Sequence, residues 1–372
     1  MKLVTMTTEQ RAEFLIKMAV KYRATDIHIV PKSNESIVFF RIHHKLIQKF
    51  TLTHEESDKI ISHLKFQAAM DIGEKRRPQN GSFSITYENK KIGLRLSTLP
   101  SIFSESIVIR ILPQQDFLQI ERLSLFPQQT RIILSLLKYS HGMIVLTGPT
   151  GSGKTTTLYS LLRHSTNFLQ RNVITLEDPV EKQSDEILQV QVNEKAGITY
   201  STGLKAILRH DPDIIMVGEI RDAETAKIAV RAALTGHLVL TTMHTKNAKG
   251  ALYRLQEFGI SWADMEQTIV AVTAQRLVEL ICPYCLEDTC SIYCAKNEEK
   301  RAALFELLYG RSLKQAFLEL KGVRTKPNFP TLKNLLRKGV ALGFIREKEY
   351  DRWIHSFETE NVEYERSSRL SN

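Results

Sequence analysis

The chain has 372 residues, of which 42% are hydrophobic and 25% are charged, and its formal net charge is +10. These fractions are typical of a soluble globular protein with two or three domains. Its apolar stretches are only as long as strands and are interrupted by glycine, threonine or charge, which excludes a membrane-spanning helix. The first nine residues lack the apolar segment of a signal peptide, so we expect the protein to stay in the cytosol.

The region up to about residue 113 mixes helical and strand patterns. Apolar residues at helical spacing predict helices over Glu9–Tyr22 and Glu55–Met70. The predicted strands are Asp26–Val30, Ile37–Ile42, Ser82–Tyr87, Ile92–Thr98 and Ser106–Leu112. These elements predict a small α+β domain, which the proline- and glutamine-containing segment 113–129 connects to a second domain.

A phosphate-binding loop is the most specific motif of the chain. After a helix predicted over Gln129–Tyr139, the apolar run 143–147 leads into G-x-x-x-x-G-K-T and then a helical pattern. The glycines let backbone N–H groups converge on an anion at the positive end of that helix. We expect Lys154 to reach the β- and γ-phosphates of a nucleotide and the Thr155 hydroxyl to hold Mg²⁺. The predicted nucleotide-binding residues are Gly148, Pro149, Thr150, Gly151, Ser152, Gly153, Lys154, Thr155 and Thr156.

Carboxylates follow two of the short β-rich runs after this loop. The runs are Val173–Glu177, Ile214–Val217 and Leu238–Thr242, and helical segments separate them, as in a doubly wound α/β sheet. Glu219 follows the second run, where a carboxylate can orient and deprotonate an attacking water. Glu177 and Asp178 end the first run and are candidates for holding Mg²⁺ directly or through water.

Two histidines bracket the third run. His244 follows its carboxyl end, which is the ligand-binding edge of such a sheet, whereas His237 precedes the run. An imidazole at the ligand-binding edge can respond to the γ-phosphate and couple its loss to movement.

All four cysteines, Cys282, Cys285, Cys290 and Cys294, lie in one short segment. In a cytosolic protein this clustering indicates a metal rather than disulfides, and four thiolates can hold Zn²⁺ tetrahedrally. The spacing would require a very tight knuckle, so reduced thiols without metal are the alternative. Beyond this segment the strand signal disappears. Helices are predicted over Lys296–Leu308, Leu313–Lys321, Thr331–Leu342 and Glu347–Phe357, before a disordered tail.

Four segments, in this order, resemble the type II/type IV secretion-system ATPase superfamily. They are GPTGSGKTTTLY, TLEDPVE, LRHDPDIIMVGEIRDAETA and TGHLVLTTMHT, which match the family's Walker A motif, Asp box, Walker B motif and His box. Upstream, ATDIHIVP and RLSTLPSIFSESIVIRIL are also similar to family segments. The resemblance implies a RecA-like P-loop ATPase domain of α/β class, preceded by a small PAS-like α+β domain and followed by a helical region.

The resemblance also implies a role for each matching residue. It makes Glu219 the catalytic base, Glu177 and Asp178 the Asp-box acids, and His237 and His244 a His-box pair that meets the nucleotide. Arg95 and Arg110 match arginines that reach nucleotide phosphates from the N-terminal domain as a ring of subunits closes. The residues expected to act in catalysis are therefore Glu219, Lys154, Arg95, Arg110 and His244. Arg221 and Arg276 also lie in matching segments, with less defined roles.

The expected organisation is an N-terminal α+β domain over 1–117 and a RecA-like ATPase core over 118–281. The cysteine cluster at 282–295, a helical region at 296–357 and a tail at 358–372 follow. Within the family, the short chain and the clustered cysteines favour an extension-type motor, and the C-terminal signature of retraction motors is only faintly present.

We therefore expect an ATP-hydrolysing hexameric motor that assembles the competence pseudopilus for DNA uptake. It would work at the cytoplasmic face of the membrane, beneath a polytopic platform protein. An anionic membrane surface is a further candidate partner for the basic chain. Direct nucleic-acid binding is not expected, because no basic segment is interleaved with aromatic residues. The alternatives are a pilus retraction or type II secretion motor, and a nucleotide-dependent scaffold with little turnover.

Overall fold

The structure is a computed structural model that describes residues 6–22, 24–42, 45–88, 90–113, 120–285, 301–325 and 328–353. The chain folds as two compact units, which divide near residue 116. The short segment 181–183 groups with the first unit, and the rest of the chain after residue 116 forms the second.

The first unit is a six-stranded antiparallel sheet with two helices, in the order β3-β2-β1-β6-β5-β4. Its elements are α1 (Thr8–Lys21), β1 (Asp26–Pro31), β2 (Ser36–Ile42), β3 (Lys45–Leu52), α2 (His54–Gln67), β4 (Gln79–Tyr87), β5 (Lys90–Pro100) and β6 (Glu105–Pro113). Thr7 and Thr53 begin the two helices through capping boxes, which satisfy N–H groups that lack partners within the helix. The predicted α+β class is confirmed. Strand β3 was not predicted, because its mostly exposed face lacks an alternating pattern.

The second unit contains a seven-stranded sheet in the order β13-β12-β7-β11-β10-β8-β9. The strands are β7 (Gly142–Thr147), β8 (Val173–Glu177), β9 (Leu188–Gln191), β10 (Ile214–Val217), β11 (Leu238–Met243), β12 (Ile269–Glu279) and β13 (Arg301–Tyr309). All neighbouring pairs are parallel except β12–β13. Strands β7, β8, β10 and β11 are buried on both faces, which explains their nearly continuous apolar runs.

Helices cover both faces of this sheet and enclose two apolar cores. They are α3 (Pro127–Leu136), α4 (Lys154–Leu169), α5 (Tyr200–Ile207), α6 (Ala223–Leu234), α7 (Ala248–Glu257), α8 (Trp262–Thr268), α9 (Gly310–Leu320) and α10 (Leu332–Ala341). The predicted doubly wound α/β class is confirmed. Among the helices in the described ranges, none is both long enough and apolar enough to cross a bilayer.

The helix predicted over 296–308 is wrong where the structure describes it, because residues 301–309 form β13. A continuous apolar run fits a buried strand as well as a helix, and here tertiary pairing decides. On one side β13 pairs with β12. On the other, Leu125 N donates to Ala303 O at 3.0 Å and the Gln129 side chain bonds both backbone groups of Phe305. The helices predicted over 313–321 and 331–342 are confirmed as α9 and α10, and 347–353 is helical. Residues 296–300 and 354–372 lie outside the described ranges.

Candidate active site

Four parallel strands end side by side in the order β7, β11, β10, β8, and each carries a predicted motif at its carboxyl end. The phosphate loop follows β7, His244 follows β11, and Glu219 follows β10 after one intervening residue. Glu177 is the last residue of β8. Carboxyl ends of parallel strands form the ligand-binding edge of an open α/β sheet. The second unit therefore gathers these motifs at one edge.

The phosphate loop has a backbone that requires glycine. Gly148, Gly151 and Gly153 have φ values of 150°, 80° and 85°. Residues other than glycine rarely adopt these positive φ values. A Cβ on Gly148 would also lie 2.6 Å from the Gln275 carbonyl oxygen. Lys154 is the first residue of α4, and its Nζ donates to Gly148 O at 2.7 Å and Pro149 O at 3.1 Å. The Lys154 ammonium group thus occupies the loop and bonds to two of its backbone carbonyl oxygens.

The loop fits a polyphosphate. Among the described residues, no atom lies within 4 Å of where a Cβ on Gly151 would be, so the outer side of this glycine is open. The Ser152 hydroxyl oxygen is buried and has no hydrogen-bond partner within the described part of the chain. The N-terminus of the 16-residue helix α4 adds N–H groups that have no partner inside the helix, and a positive dipole end. Thr155, the second residue of α4, lies where a hydroxyl ligand for Mg²⁺ is expected.

Glu219 lies between two nitrogen-bearing side chains. One carboxylate oxygen pairs with Arg221 Nη2, and the other is 3.6 Å from His244 Nε2. Burial lowers the pKa of His244, and the charge of Lys154 lowers it further, although Glu219 opposes both. A neutral imidazole therefore faces the carboxylate near pH 7. The structure brings Glu219, His244 and Lys154 into one cluster, as the sequence predicts.

Hydrogen bonds from two threonines hold these strand ends in register. Thr147 Oγ1, at the end of β7, accepts from Thr245 N at 2.8 Å. Thr242 Oγ1, on β11, donates to Gly218 O at 2.8 Å. The loop carrying His244 is thereby fixed to the strand before the phosphate loop, and the loop carrying Glu219 is fixed to β11.

Glu177 is buried, with 3% of its surface exposed, and three side chains donate to its carboxylate. Tyr159 Oη donates to Oε2 at 2.6 Å, and Thr175 Oγ1 and Gln189 Nε2 donate to Oε1 at 2.7 and 3.3 Å. Asp178 is the next residue and is exposed at the same edge. Of the two Asp-box acids, Asp178 is therefore the one that can approach a metal without disturbing a buried hydrogen-bond network.

Tyr200 is a site residue that the sequence did not reveal. It is the first residue of α5, and its hydroxyl lies 3.4 Å from where a Cβ on Gly218 would be. Burial raises the pKa of Tyr200, and the charges of Asp178 and Glu219 raise it further. The phenol thus stays protonated, near the Asp box and Glu219. No local motif marks this tyrosine.

Gln275 and Arg276 on β12 brace two of the loops. Gln275 Nε2 donates to Ser152 O, in the phosphate loop, at 2.8 Å. Arg276 Nη2 donates to Lys246 O, in the loop after His244, at 2.6 Å. Both side chains are buried. The matching segment pointed to Arg276 without giving it a role, and the structure shows that it supports the His-box loop.

His237 is not part of this cluster. It precedes β11, so the six residues of that strand, roughly 20 Å at the usual rise, separate it from His244. Its Nδ1 lies 3.1 Å from Ala232 O and 3.3 Å from Thr235 Oγ1. The expectation that His237 joins His244 at the nucleotide is not met within one chain, because opposite ends of a parallel strand lie on opposite edges of the sheet.

The two predicted arginines of the first unit lie directly opposite each other, Arg95 on β5 and Arg110 on β6. Asp26 and then Arg41 continue the same row across the sheet. Arg110 Nε donates to Asp26 Oδ1 at 2.9 Å, and Arg41 Nε lies 3.5 Å from Oδ2. Burial opposes ionisation of Asp26, but the hydrogen bond and charge of Arg110 outweigh it and lower its pKa. Facing like charges are unfavourable in a sheet, and Asp26 offsets part of this repulsion by pairing with both Arg110 and Arg41.

Two of the four cysteines lie in the described ranges. Cys282 is buried and Cys285 is partly buried, just after the end of β12. Cys290 and Cys294 lie outside those ranges, so the four-cysteine zinc site stays a prediction.

The doubly wound sheet, the phosphate loop and the strand-end carboxylate define a RecA-like P-loop protein. A family model described as "Type II/IV secretion system protein" matches residues 6–352. The chain therefore belongs to this family of secretion- and pilus-type ATPases.

Curated relatives agree with this assignment. The chain is 54% identical over 348 residues to "Competence protein ComGA" of Bacillus subtilis strain 168, covering 93% of this chain and 98% of that one. It is 42% identical to the protein of the same name from Halalkalibacterium halodurans, covering 92% and 98%. "Type II secretion system protein E" of Dickeya dadantii is 44% identical over 272 residues. That match covers 73% of this chain but only 54% of the relative.

Solved structures confirm the fold. The ATPase DotB of Legionella pneumophila superposes with a TM-score of 0.71 at 23% identity, covering 95% of this chain and 97% of that one. The pilus retraction motor PilT, solved with bound ADP, gives a TM-score of 0.68 at 24% identity, covering 91% and 95%.

Proposed function

We propose that this chain is the ATP-hydrolysing subunit of a hexameric motor that assembles the competence pseudopilus for DNA uptake. The observation that supports ATP hydrolysis is the approach of Glu219 to His244 near Lys154. These residues lie at the same edge of the sheet as the phosphate loop. A nucleotide-binding scaffold requires the phosphate loop, whereas hydrolysis also requires a carboxylate that can accept a proton from the attacking water.

The reaction follows from these side chains. The loop N–H groups and Lys154 bind the β- and γ-phosphates, and Glu219 accepts a proton from the water that attacks the γ-phosphorus. The products are ADP and inorganic phosphate. Mg²⁺, for which Thr155 and Asp178 would provide oxygen ligands, would neutralise charge on the phosphates. Neutral His244, whose Nε2 lies 3.6 Å from Glu219, and protonated Tyr200 are polar groups beside Glu219 that can contact the attacking water.

Arg95 and Arg110 extend the proposal to a ring of subunits. Asp26 holds Arg110 in place, and 63% of the Arg110 side chain is exposed. An arginine that meets phosphate only when subunits close would stabilise transition-state charge and couple hydrolysis to motion. We propose that the two arginines complete the site in this way in the assembled hexamer.

The cargo is inferred from the relatives. The two proteins named for competence match over nearly their whole length, whereas the chain spans about half the length of the type II secretion relatives. We propose that the motor works at the cytoplasmic face of the membrane beneath a polytopic platform protein. Retraction and type II secretion are the competing cargoes.

Allelic replacement in the host tests this proposal. Strains carrying Lys154→Ala or Glu219→Gln should lose transformation and retain normal secretion and motility. Loss of secretion or motility with normal transformation would contradict the competence cargo. Normal transformation with Glu219→Gln, but not with Lys154→Ala, would contradict the motor and favour the scaffold.

A further inference from the structure

Glu306 is a buried carboxylate on β13 that the proposed reaction does not use. Its neighbours Ala302–Leu308 form an apolar run, and only 4% of its own surface is exposed. A buried charge is costly unless hydrogen bonds and nearby charges compensate it. The contacts of Glu306 therefore indicate why an acid is placed there.

The carboxylate caps two helices at once. Oε1 accepts from Ala248 N and Oε2 accepts from Leu332 N, each at 2.9 Å. Ala248 is the first residue of α7, and Leu332 is the first residue of α10. Asn247 and Thr331 cap the third N–H group of these helices, so Glu306 satisfies a donor that the ordinary caps leave over. The positive ends of both helix dipoles thus meet at one carboxyl group. Burial raises the pKa of Glu306, and the two helix N–H donors and the charge of Arg276 oppose that effect.

One of these helices begins directly after the loop that carries His244. This loop is held at three points: by Thr147 at Thr245 N, by Arg276 at Lys246 O, and by Glu306 at Ala248 N. Ala274 pairs with Glu306 across the sheet, so Arg276, two residues along β12, lies on the same face as the carboxylate. Arg276 and Glu306 therefore clamp the end of the His-box loop from one sheet face, one as a donor and the other as an acceptor.

From these contacts we propose that Glu306 is a positioning residue for hydrolysis, which sets the place of His244 relative to Glu219. Because its second oxygen holds α10, the same carboxylate ties the C-terminal helices to the nucleotide site. A displacement of α10 is thereby passed to the His-box loop through a single side chain. The inference rests on the proposed ATPase function.

A double-mutant cycle tests whether Glu306 acts through His244. Full-length parent, Glu306→Gln, His244→Asn and the double variant are compared by steady-state MgATP hydrolysis. Glutamine offers one acceptor oxygen, so one helix N–H loses its partner, and we expect kcat to fall about tenfold with KM changed less than about twofold. The double variant should be within about twofold of His244→Asn alone, because residues that act as a unit are not additive.

The matched control is Glu319→Gln. The Glu319 carboxylate is partly exposed and pairs at 2.6 Å with Lys249, which lies on α7, one of the two helices that Glu306 contacts. This control should hydrolyse ATP at the parental rate. If Glu306→Gln does not fold, as judged by thermal unfolding, Glu306→Asp replaces it, since aspartate keeps the charge but is too short to reach both helices.

Three outcomes would overturn the inference. The first is a Glu306 variant with the parental kcat, and the second is a loss of kcat in Glu319→Gln as large as that in Glu306→Gln. The third is a double variant whose loss of kcat equals the product of the losses in Glu306→Gln and His244→Asn. A parent chain with no ATP turnover would instead contradict the proposed function, so the two failures are distinguishable.

Discussion

Removal of the Tyr159 hydroxyl tests the buried network around Glu177. The hydroxyl donates at 2.6 Å to a carboxylate that is 3% exposed, and it also accepts from Gln189 Nε2 at 3.1 Å. Tyr159→Phe keeps the ring, which fills a fully buried position, and removes the hydroxyl that makes these two contacts. The result isolates the polar interaction from packing.

The magnitude follows from the contacts that remain. A hydrogen bond to a charged group contributes about 1.5–3 kcal/mol. Thr175 and Gln189 still donate to Glu177 in the variant, so the carboxylate is not left without partners. We therefore expect the free energy of unfolding of the second unit to fall by about 2 kcal/mol. At an m-value of roughly 2–3 kcal/mol per molar urea, its midpoint should fall by roughly 0.7–1 M.

Urea unfolding, followed by circular dichroism at equilibrium, measures this shift. The matched control is Tyr139→Phe, since Tyr139 lies in the same unit and is 53% exposed; it should change the free energy of unfolding by less than about 0.5 kcal/mol. A Tyr159→Phe shift no larger than that of the control would refute the view that the hydroxyl stabilises the second unit through its hydrogen bond to the buried Glu177 carboxyl group.

Three further changes have defined outcomes. Lys65→Met leaves Glu105 buried without its partner at 3.0 Å, and it should lower the free energy of unfolding of the first unit by about 3–5 kcal/mol. Adding Glu105→Leu should recover most of this loss. A double variant as unstable as Lys65→Met alone would contradict the burial cost. The pKa of His244 is lower in the folded chain than in the unfolded chain. As the pH falls below about 6.5, the unfolded chain therefore binds a proton at His244 more readily than the folded chain does, and the free energy of unfolding decreases. The urea midpoint should therefore drop less between pH 7.5 and 5.5 in His244→Asn than in the parent, and equal drops would refute the assignment. Gly148→Ala should weaken MgATP binding at least about tenfold in a fluorescent-nucleotide titration, because its Cβ would meet Gln275 O at 2.6 Å. Gly197→Ala is the control that keeps parental affinity, since its φ is 75° and a Cβ there would meet no described atom within 4 Å.

The parts of the site that the sequence predicts are those whose chemistry is local. The phosphate loop needs glycine at fixed positions next to its own lysine, and Gly148–Thr155 shows both in eight consecutive residues. Glu219 and His244 were predictable because a buried parallel strand has an apolar run that ends at the ligand-binding edge. His237 lies at the other edge of the sheet within one chain, because it precedes the strand that His244 follows.

The residues that sequence reasoning missed depend on contacts between distant segments. Tyr200, Gln275 and Glu306 belong to no short motif, and each reaches the site from a different element. Glu306 lies in the segment wrongly predicted as a helix, whereas in strand β13 its carboxylate reaches the first residues of α7 and α10. Sheet order, which only long-range pairing sets, brings these side chains to the phosphate and His-box loops.

The central claim is that Glu219 is the base of an ATP-hydrolysing site. Steady-state phosphate release and MgATP binding, measured on the same preparations of parent and Glu219→Gln, test it most directly. We expect the parent to turn over ATP. The variant should bind MgATP with an affinity within about threefold of the parent, while its turnover falls at least about a hundredfold. A Glu219→Gln chain that hydrolyses ATP at the parental rate would contradict the role of Glu219 as the base.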